Sequence, residues 1–273
     1  MKSRTTISLS LLMILIMILP AIGRCVDDKE ARKIMVQVDE RDDGDNIVSE
    51  MEMILIDKNG NERIRNIKAF AKDKGQDTLN ILFFLYPPDI KGTGFLTREY
   101  GESGKDDDQW LYLPALKSTK RIATSDKSEK FMGSDFTYAD MGSLDLEDYD
   151  FSFFEKQKEI AINGKMCWII WAMPRSKDVI KKTGYEKSLL FIRKDNVCLV
   201  RAKFWVEQGG YIKLLDTKEL KLIDGIWTAT EVHMVKTRDN IQLHKTILKL
   251  IDIKYNQDLS ESMFTENQLE KGL

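Results

Sequence analysis

The chain has 273 residues, with 42 Lys and Arg against 44 Asp and Glu, a formal charge of −2, and 42% hydrophobic residues. A near-balanced chain without a concentrated basic stripe is not built for nucleic acid, whose binders neutralise phosphates with clustered Lys and Arg. Its length suffices to bury one sizeable core.

In chain order, residues 1–23 read as a secretory signal peptide. Lys2 and Arg4 precede an apolar core over residues 11–19, followed by Pro20, Ala21 and Gly23. A spanning helix needs ~20 apolar residues, and Ser8, Ser10 and Pro20 leave this stretch short. The small residues Ala21 and Gly23 predict cleavage after Gly23, and Arg24 before Cys25 argues against lipidation. Cleavage removes two positive charges, Lys2 and Arg4, and moves the formal charge from −2 to −4. Residues 24–273 are expected to form one exported domain, since no internal repeat, low-complexity tract or long linker divides them.

Ala31, Ile34, Met35 and Val38 recur at helical spacing, with Asp27 and Asp28 at the positive end of the dipole, so an amphipathic helix is expected to stop near Asp42 to Gly44. The period then changes to two: Met51, Met53 and Leu55 share one face of SEMEMILID, and Glu50 and Glu52 the other. Strand-like runs follow at short spacing: ERIRNIKAF, TLNILFFLY, GTGFLTREY, QWLYLP, KRIAT, YDFSFFE, KMCWIIWAM, KSLLFIRK, VCLVRAKFWVE, YIKLLDT, KELKLID, IWTATEVHMVK and IQLHKTILKLIDIKY. Turn signals such as DKNG, YPPD, KDN, EQGG, IDG and TRDN separate them.

This pattern predicts a mainly β fold with one large antiparallel sheet, bent or half closed. Val200, Ala202, Phe204 and Val206 are expected on one face and Arg201, Lys203 and Glu207 on the other. Short helices are expected at SKDVIKK and near YADMGSLDL, and a C-terminal turn around SESMF. So few helices over so much sheet fit either an apolar cavity, suited by Met-rich strands, or a fully packed core. Lys181-Lys182, the run Lys117 to Arg121 and Asp106-Asp107-Asp108 read as solvated turns.

Chemistry is sparse. Cys167 and Cys198 lie in runs held apart by SLLFIRK, and second-neighbour strands exceed disulfide reach, so both read as buried thiols, with a disulfide between them as the alternative. Ser134 in FMGSDFTYADM has no nearby histidine in sequence and lacks the second glycine of a nucleophile elbow. A turn at Arg238-Asp239 would set His233 opposite His244 with Glu231 beside them, a metal-ligand set; a one-residue shift would pair His244 with Val235. No phosphate loop, dinucleotide fingerprint or Cys-x-x-Cys is present. The absence of cofactor motifs favours binding over catalysis.

The succession YPPDIKGTGFLTREY, DDDQWLYLPALKSTKRI and FMGSDFTYADM resembles the outer membrane lipoprotein-sorting protein family, a branch of the LolA/LolB-like carriers. ARKIMVQVDERDDGD, LIDGIWTATEVHM and LSESMFTENQLE extend the resemblance over nearly all of the mature chain. It implies a strongly curved antiparallel sheet closed by helices around an apolar cavity for lipid or lipoprotein acyl chains, in the periplasm. It also implies a partnership with an inner-membrane RND-type exporter. No lipoprotein-contacting arginine of the family maps onto Arg63, Arg65 or Arg98.

On this reading Phe131, Phe136 and Tyr138 line or rim the cavity, and Phe95, Trp110 and Tyr112 share the same wall or its edge; a plain aromatic core is the alternative. Gly133 permits a bend or a close backbone approach, and Asp135 or Asp140 caps the short helix that follows. A non-catalytic periplasmic carrier is the expected function, without a cofactor. The alternatives are a periplasmic sensor or adaptor domain for an exporter or an envelope-stress regulator, and a metal enzyme at Glu231, His233 and His244.

Overall fold

A computed structural model of the chain describes residues 26–102 and 104–273. The expected signal peptide, its cleavage site and Cys25 lie outside these residues. Where the hydrophobic period is two, the chain forms strands: β1 (Asn46–Ile56), β2 (Glu62–Lys74), β3 (Asp77–Tyr86), β4 (Gly94–Glu99), β5 (Asp108–Leu113), β6 (Ser118–Arg121), β7 (Tyr149–Phe153), β8 (Glu159–Ile162), β9 (Lys165–Pro174), β10 (Tyr185–Arg193), β11 (Leu199–Val206), β12 (Ile212–Ile223), β13 (Ile226–Arg238) and β14 (Ile241–Tyr255).

All fourteen join one antiparallel sheet. It runs from β6 back through β5, β4, β3 and β2 to β1, crosses to β14, returns through β13, β12, β11 and β10 to β9, and ends at β7, with β8 also on β9. Sequential neighbours pair because hairpin connections are short. The first and last strands meet in mid-sheet, with Met53 opposite Leu248. The path does not close, since β6 and β7 are its ends.

Among the described residues three α-helices accompany the sheet: α1 (Lys29–Asp39), α2 (Lys177–Thr183) and α3 (Glu266–Lys271). The α1 helix starts where the Asp28 carboxylate accepts from Glu30 N and Ala31 N at 2.8 and 3.1 Å, filling donors that a helix N-terminus leaves open. It is pinned to β7 by Arg32, which reaches Asp27 at 2.5 Å and the Tyr149 carbonyl at 2.5 Å. The expected stripe is buried: Ala31, Ile34 and Met35 pack with Phe151, Ile170 and Leu190.

The concave face carries two apolar clusters that both touch Phe204 and Leu215. One lies under α1, and the other holds Met53, Leu55, Phe84 and Phe95. Roofing the second is the segment between β6 and β7, mostly short 3₁₀ turns, which bends at Gly133 with φ +74°. A Cβ there would meet nothing within 4 Å, so Gly133 serves the bend and not a close approach. On the back of β2 to β5, Leu259, Phe264 and Leu269 of the C-terminal segment cover Phe70, Ile81, Phe83 and Trp110.

Several expectations need correction. YIKLLDT and KELKLID form the single strand β12, bulged between Thr217 and Leu220, and β8 was not foreseen. A bulge pairs Phe191 with Arg201 but Ile192 with Leu199, so Val200 turns to the convex face against Cys167 while Leu199 joins the concave cluster. SESMF forms a 3₁₀ turn, as expected, and the unforeseen α3 follows it. Cys167 and Cys198 are buried free thiols, as expected. The turn before β14 sets His244 opposite Lys236 and His233 opposite Ile247, so the two histidines are not cross-strand partners.

Candidate functional site

Between sheet and roof lies an apolar cavity of about 310 Å³. Its floor is the inward-facing row Leu190, Ile192, Leu199, Phe204, Leu215 and Met234, from β10 to β13. Met35 and Val38 on α1 form one side of its roof, and Phe136 and Leu144 the other. Alternation puts every second residue of each strand into this floor, and the helical stripe turns Met35 and Val38 down onto it. The volume sits at the lower end of the roughly 300–1,000 Å³ usual for small-molecule sites.

Polar groups edge the cavity, and most are engaged with one another. The Tyr185 hydroxyl donates to Asp140 Oδ2 at 2.7 Å and accepts from Lys213 Nζ at 3.0 Å. Lys213 is only 5% exposed. Burial pulls its ammonium below the ordinary lysine value, and burial together with the Asp140 charge pushes the Tyr185 hydroxyl well above that of a free phenol. Lys127, also lowered by burial, donates to the Asp107 carbonyl at 2.7 Å. Lys182 spans Asp106 at 2.9 Å and Asp148 at 3.4 Å; those carboxylates hold its ammonium above the usual value against the effect of burial. It is therefore not the solvated turn residue expected from the sequence.

The segment FMGSDFTYADM is anchored at Asp135, which is fully buried. Its Oδ2 accepts from Thr246 Oγ1 at 2.8 Å and meets His244 Nδ1 at 2.6 Å, and its backbone N–H donates to Thr246 Oγ1 at 2.9 Å. Neither Asp135 nor Asp140 caps a helix: the turn Ala139–Met141 has no side-chain cap. Asp135 is drawn to β14 by a paired imidazole and hydroxyl, while Asp140 accepts from Thr137 N at 2.7 Å and from Tyr185. Ser134 is fully buried, and its hydroxyl serves the Phe136 backbone. His233 meets Glu231 at 2.6 Å. Among the described residues no group of three or more His, Cys, Asp or Glu could share a metal ion.

Of the six aromatics singled out from the sequence, Phe136 lines the cavity. Phe95, Phe131 and Tyr138 form a solid block beside it, with ring centroids 5.1 to 5.7 Å apart. Trp110 and Tyr112 are on the opposite side of the sheet, beneath the C-terminal segment. The reason is strand alternation: Phe95 faces Leu111 across the β4–β5 pair, so Trp110 and Tyr112 must point the other way. The floor residues were missed because each belongs to an ordinary strand run; Met35 and Val38 were legible as a helical stripe without the knowledge of what it covers.

A family model described as "Uncharacterized protein" matches residues 76–271. No curated protein matches the chain. Among solved structures, a DUF1329 family protein from Desulfovibrio piger superposes with a TM-score of 0.80 at 29% identity, covering 89% of this chain and 99% of its own. A domain from Vibrio parahaemolyticus, provisionally described as outer membrane lipoprotein-sorting, gives 0.78 at 29% identity, covering 88% and 98%. A LolA superfamily protein from Nitrosomonas europaea gives 0.65 at 18% identity, covering 87% and 98%, and shares the fold.

Proposed function

We propose that this chain, whose fold is that of the LolA-like structures it resembles, is a periplasmic, non-catalytic carrier that shields the acyl chains of a lipid or lipoprotein from water. The observation that carries this reading is the apolar cavity of about 310 Å³ between a curved sheet and a separate roof. Each acyl carbon buried there contributes roughly 0.8 kcal/mol, so a chain of ordinary length supplies the affinity without any polar recognition. At this size the cavity suits a single chain, and bulkier cargo requires α1 or the roof between β6 and β7 to lift. The engaged state of the nearby Asp, Tyr and Lys groups supports binding over chemistry, as does the burial of Ser134 within its own turn.

A carrier must receive and surrender its cargo at membranes, and the family resemblance supports an inner-membrane RND-type exporter as one partner. The test is transfer of a fluorescent diacyl lipid between two vesicle populations separated by a dialysis membrane. Transfer that scales with the concentration of this protein supports the proposal. Transfer no faster than with a non-binding protein of the same size contradicts it.

A further inference from the structure

Leu190, Ala202, Leu215 and Met234 stand opposite one another as an inward row across β10 to β13. Alternation turns their neighbours Leu189, Lys203, Leu214 and Val235 out to the convex face, and the same row continues to Trp171 on β9 and Lys245 on β14. One step toward the β11–β12 turn, Lys187 stands opposite Trp205, and Trp205 opposite Ile212. The Trp171 and Trp205 rings touch, with centroids 5.2 Å apart. Lys187 Nζ sits 5.3 and 4.9 Å from those two centroids, and Lys203 Nζ 4.6 Å from that of Trp205. The two indoles and the three lysines are partly exposed, and Leu214 is 39% exposed.

A shallow groove of about 480 Å³ runs along this row. Four cations line it, Arg201, Lys203, Lys218 and Lys245, against the single carboxylate Asp216, in a chain whose formal charge is −2. Asp216 already has its counter-charges, Arg201 at 3.2 Å and Lys218. Among the described residues Lys187, Lys203 and Lys245 make no ion pair, and the indole rings hold the first two without filling their N–H donors. His233 registers the excess of positive charge: burial pulls its imidazole below the ordinary value, and Lys245 and Lys218 add to that pull against the bond to Glu231.

This combination of groups matches the surface of a bilayer. An indole, apolar in body and polar at its edge, settles at headgroup depth, and an ammonium on a long apolar stem reaches the phosphates. The three unpaired lysines stand on three different strands as separate point charges, which suits phosphates that move freely in a fluid leaflet. The guanidinium, whose planar fork is shaped for a fixed carboxylate of a protein partner, is taken by Asp216.

We propose that this convex face docks the protein onto an anionic bilayer, with Lys187, Lys203 and Lys245 on lipid phosphates and Trp171, Trp205 and Leu214 at headgroup depth. The face lies across the sheet from the acyl cavity, so the inference goes beyond the carrier reading and does not depend on it.

Co-sedimentation with vesicles decides it, using phosphatidylcholine alone and phosphatidylcholine mixed with an equal share of phosphatidylglycerol. The assay counts protein held on the vesicle and not lipid carried off in the cavity, so its failure leaves the carrier reading standing. Each lysine close to an anionic surface adds about fivefold to partitioning, so the mixed vesicles bind about tenfold or more better than phosphatidylcholine alone, and Lys187→Gln/Lys203→Gln/Lys245→Gln loses about a hundredfold. That variant keeps the wild-type melting temperature, because none of the three lysines has an ion pair to lose. Added salt weakens the binding of wild type. Brominated phosphatidylcholine in the mixed vesicles quenches tryptophan fluorescence, and Trp171→Phe/Trp205→Phe, which keeps a ring at both positions, removes most of that quenching. Equal binding to the two kinds of vesicle, binding to neither, or full binding by the triple-lysine variant overturns the proposal. Binding of soluble polyglutamate without binding of the mixed vesicles assigns the face to an acidic protein and overturns it as well.

Discussion

Replacing His244 with alanine should loosen the roof between β6 and β7 without unfolding the sheet. In the native protein the imidazole meets Asp135 Oδ2 at 2.6 Å, and Asp135 is fully buried with its Oδ1 lacking a partner. After His244→Ala the carboxylate keeps Thr246 Oγ1 as its side-chain donor. A hydrogen bond to a charged group contributes about 1.5–3 kcal/mol. At 1.4 kcal/mol per factor of ten, opening of the segment rises ~10- to 150-fold.

The assay is amide hydrogen exchange at Phe131, Ser134 and Tyr138, whose N–H groups bond the carbonyls of Phe136, Phe131 and Glu129 at 2.8, 2.9 and 3.1 Å. These amides should accelerate by that factor, while amides of β9 and β10 hold their rates. The double variant Asp135→Leu/His244→Ala removes both partners and should recover much of the loss, because replacing a buried polar pair is cheaper than orphaning one member. Exchange changed less than threefold, or raised equally in the sheet, refutes the reasoning.

Filling the cavity floor with Leu215→Trp should lower lipid loading at least tenfold in an extraction assay, since the added ring occupies space the acyl chain needs; destabilisation from overpacking should stay near 1–3 kcal/mol. Leu269→Ala, fully buried on the back of the sheet, should cost about 2–5 kcal/mol in a denaturation curve and leave loading of the surviving folded protein intact. Asp43 has a raised acid constant, through burial first and then the charge of Asp73. Its stabilising contribution is therefore complete below the ordinary aspartate value and is lost as pH rises through the raised one. Asp43→Asn should accordingly raise the melting temperature relative to wild type at pH 8 and not at pH 3.

The sheet was legible because its signal is local. Alternation in SEMEMILID and TLNILFFLY, punctuated by Gly, Pro, Asn and Asp, specifies strands and hairpins without reference to the rest of the chain. The α1 stripe of Ala31, Ile34 and Met35 was equally local, and Asp28 announced its start. What escaped depended on register. One bulge beside Ile192 exchanges Val200 for Leu199 on the concave face, and the β13–β14 register sets His244 opposite Lys236, three residues along from His233. The aromatic motifs gave residue types but not faces, so Trp110 and Tyr112 were grouped with Phe95 although alternation sends them to the other side of the sheet.

The most direct measurement is native mass spectrometry of the protein, purified gently from its native cells and followed by solvent extraction. The carrier account predicts a bound lipid or acylated peptide at close to one per chain, lost when the cavity floor carries Leu215→Trp. A clean unliganded mass that takes up no lipid when lipids are offered would contradict it and shift the assignment to an adaptor.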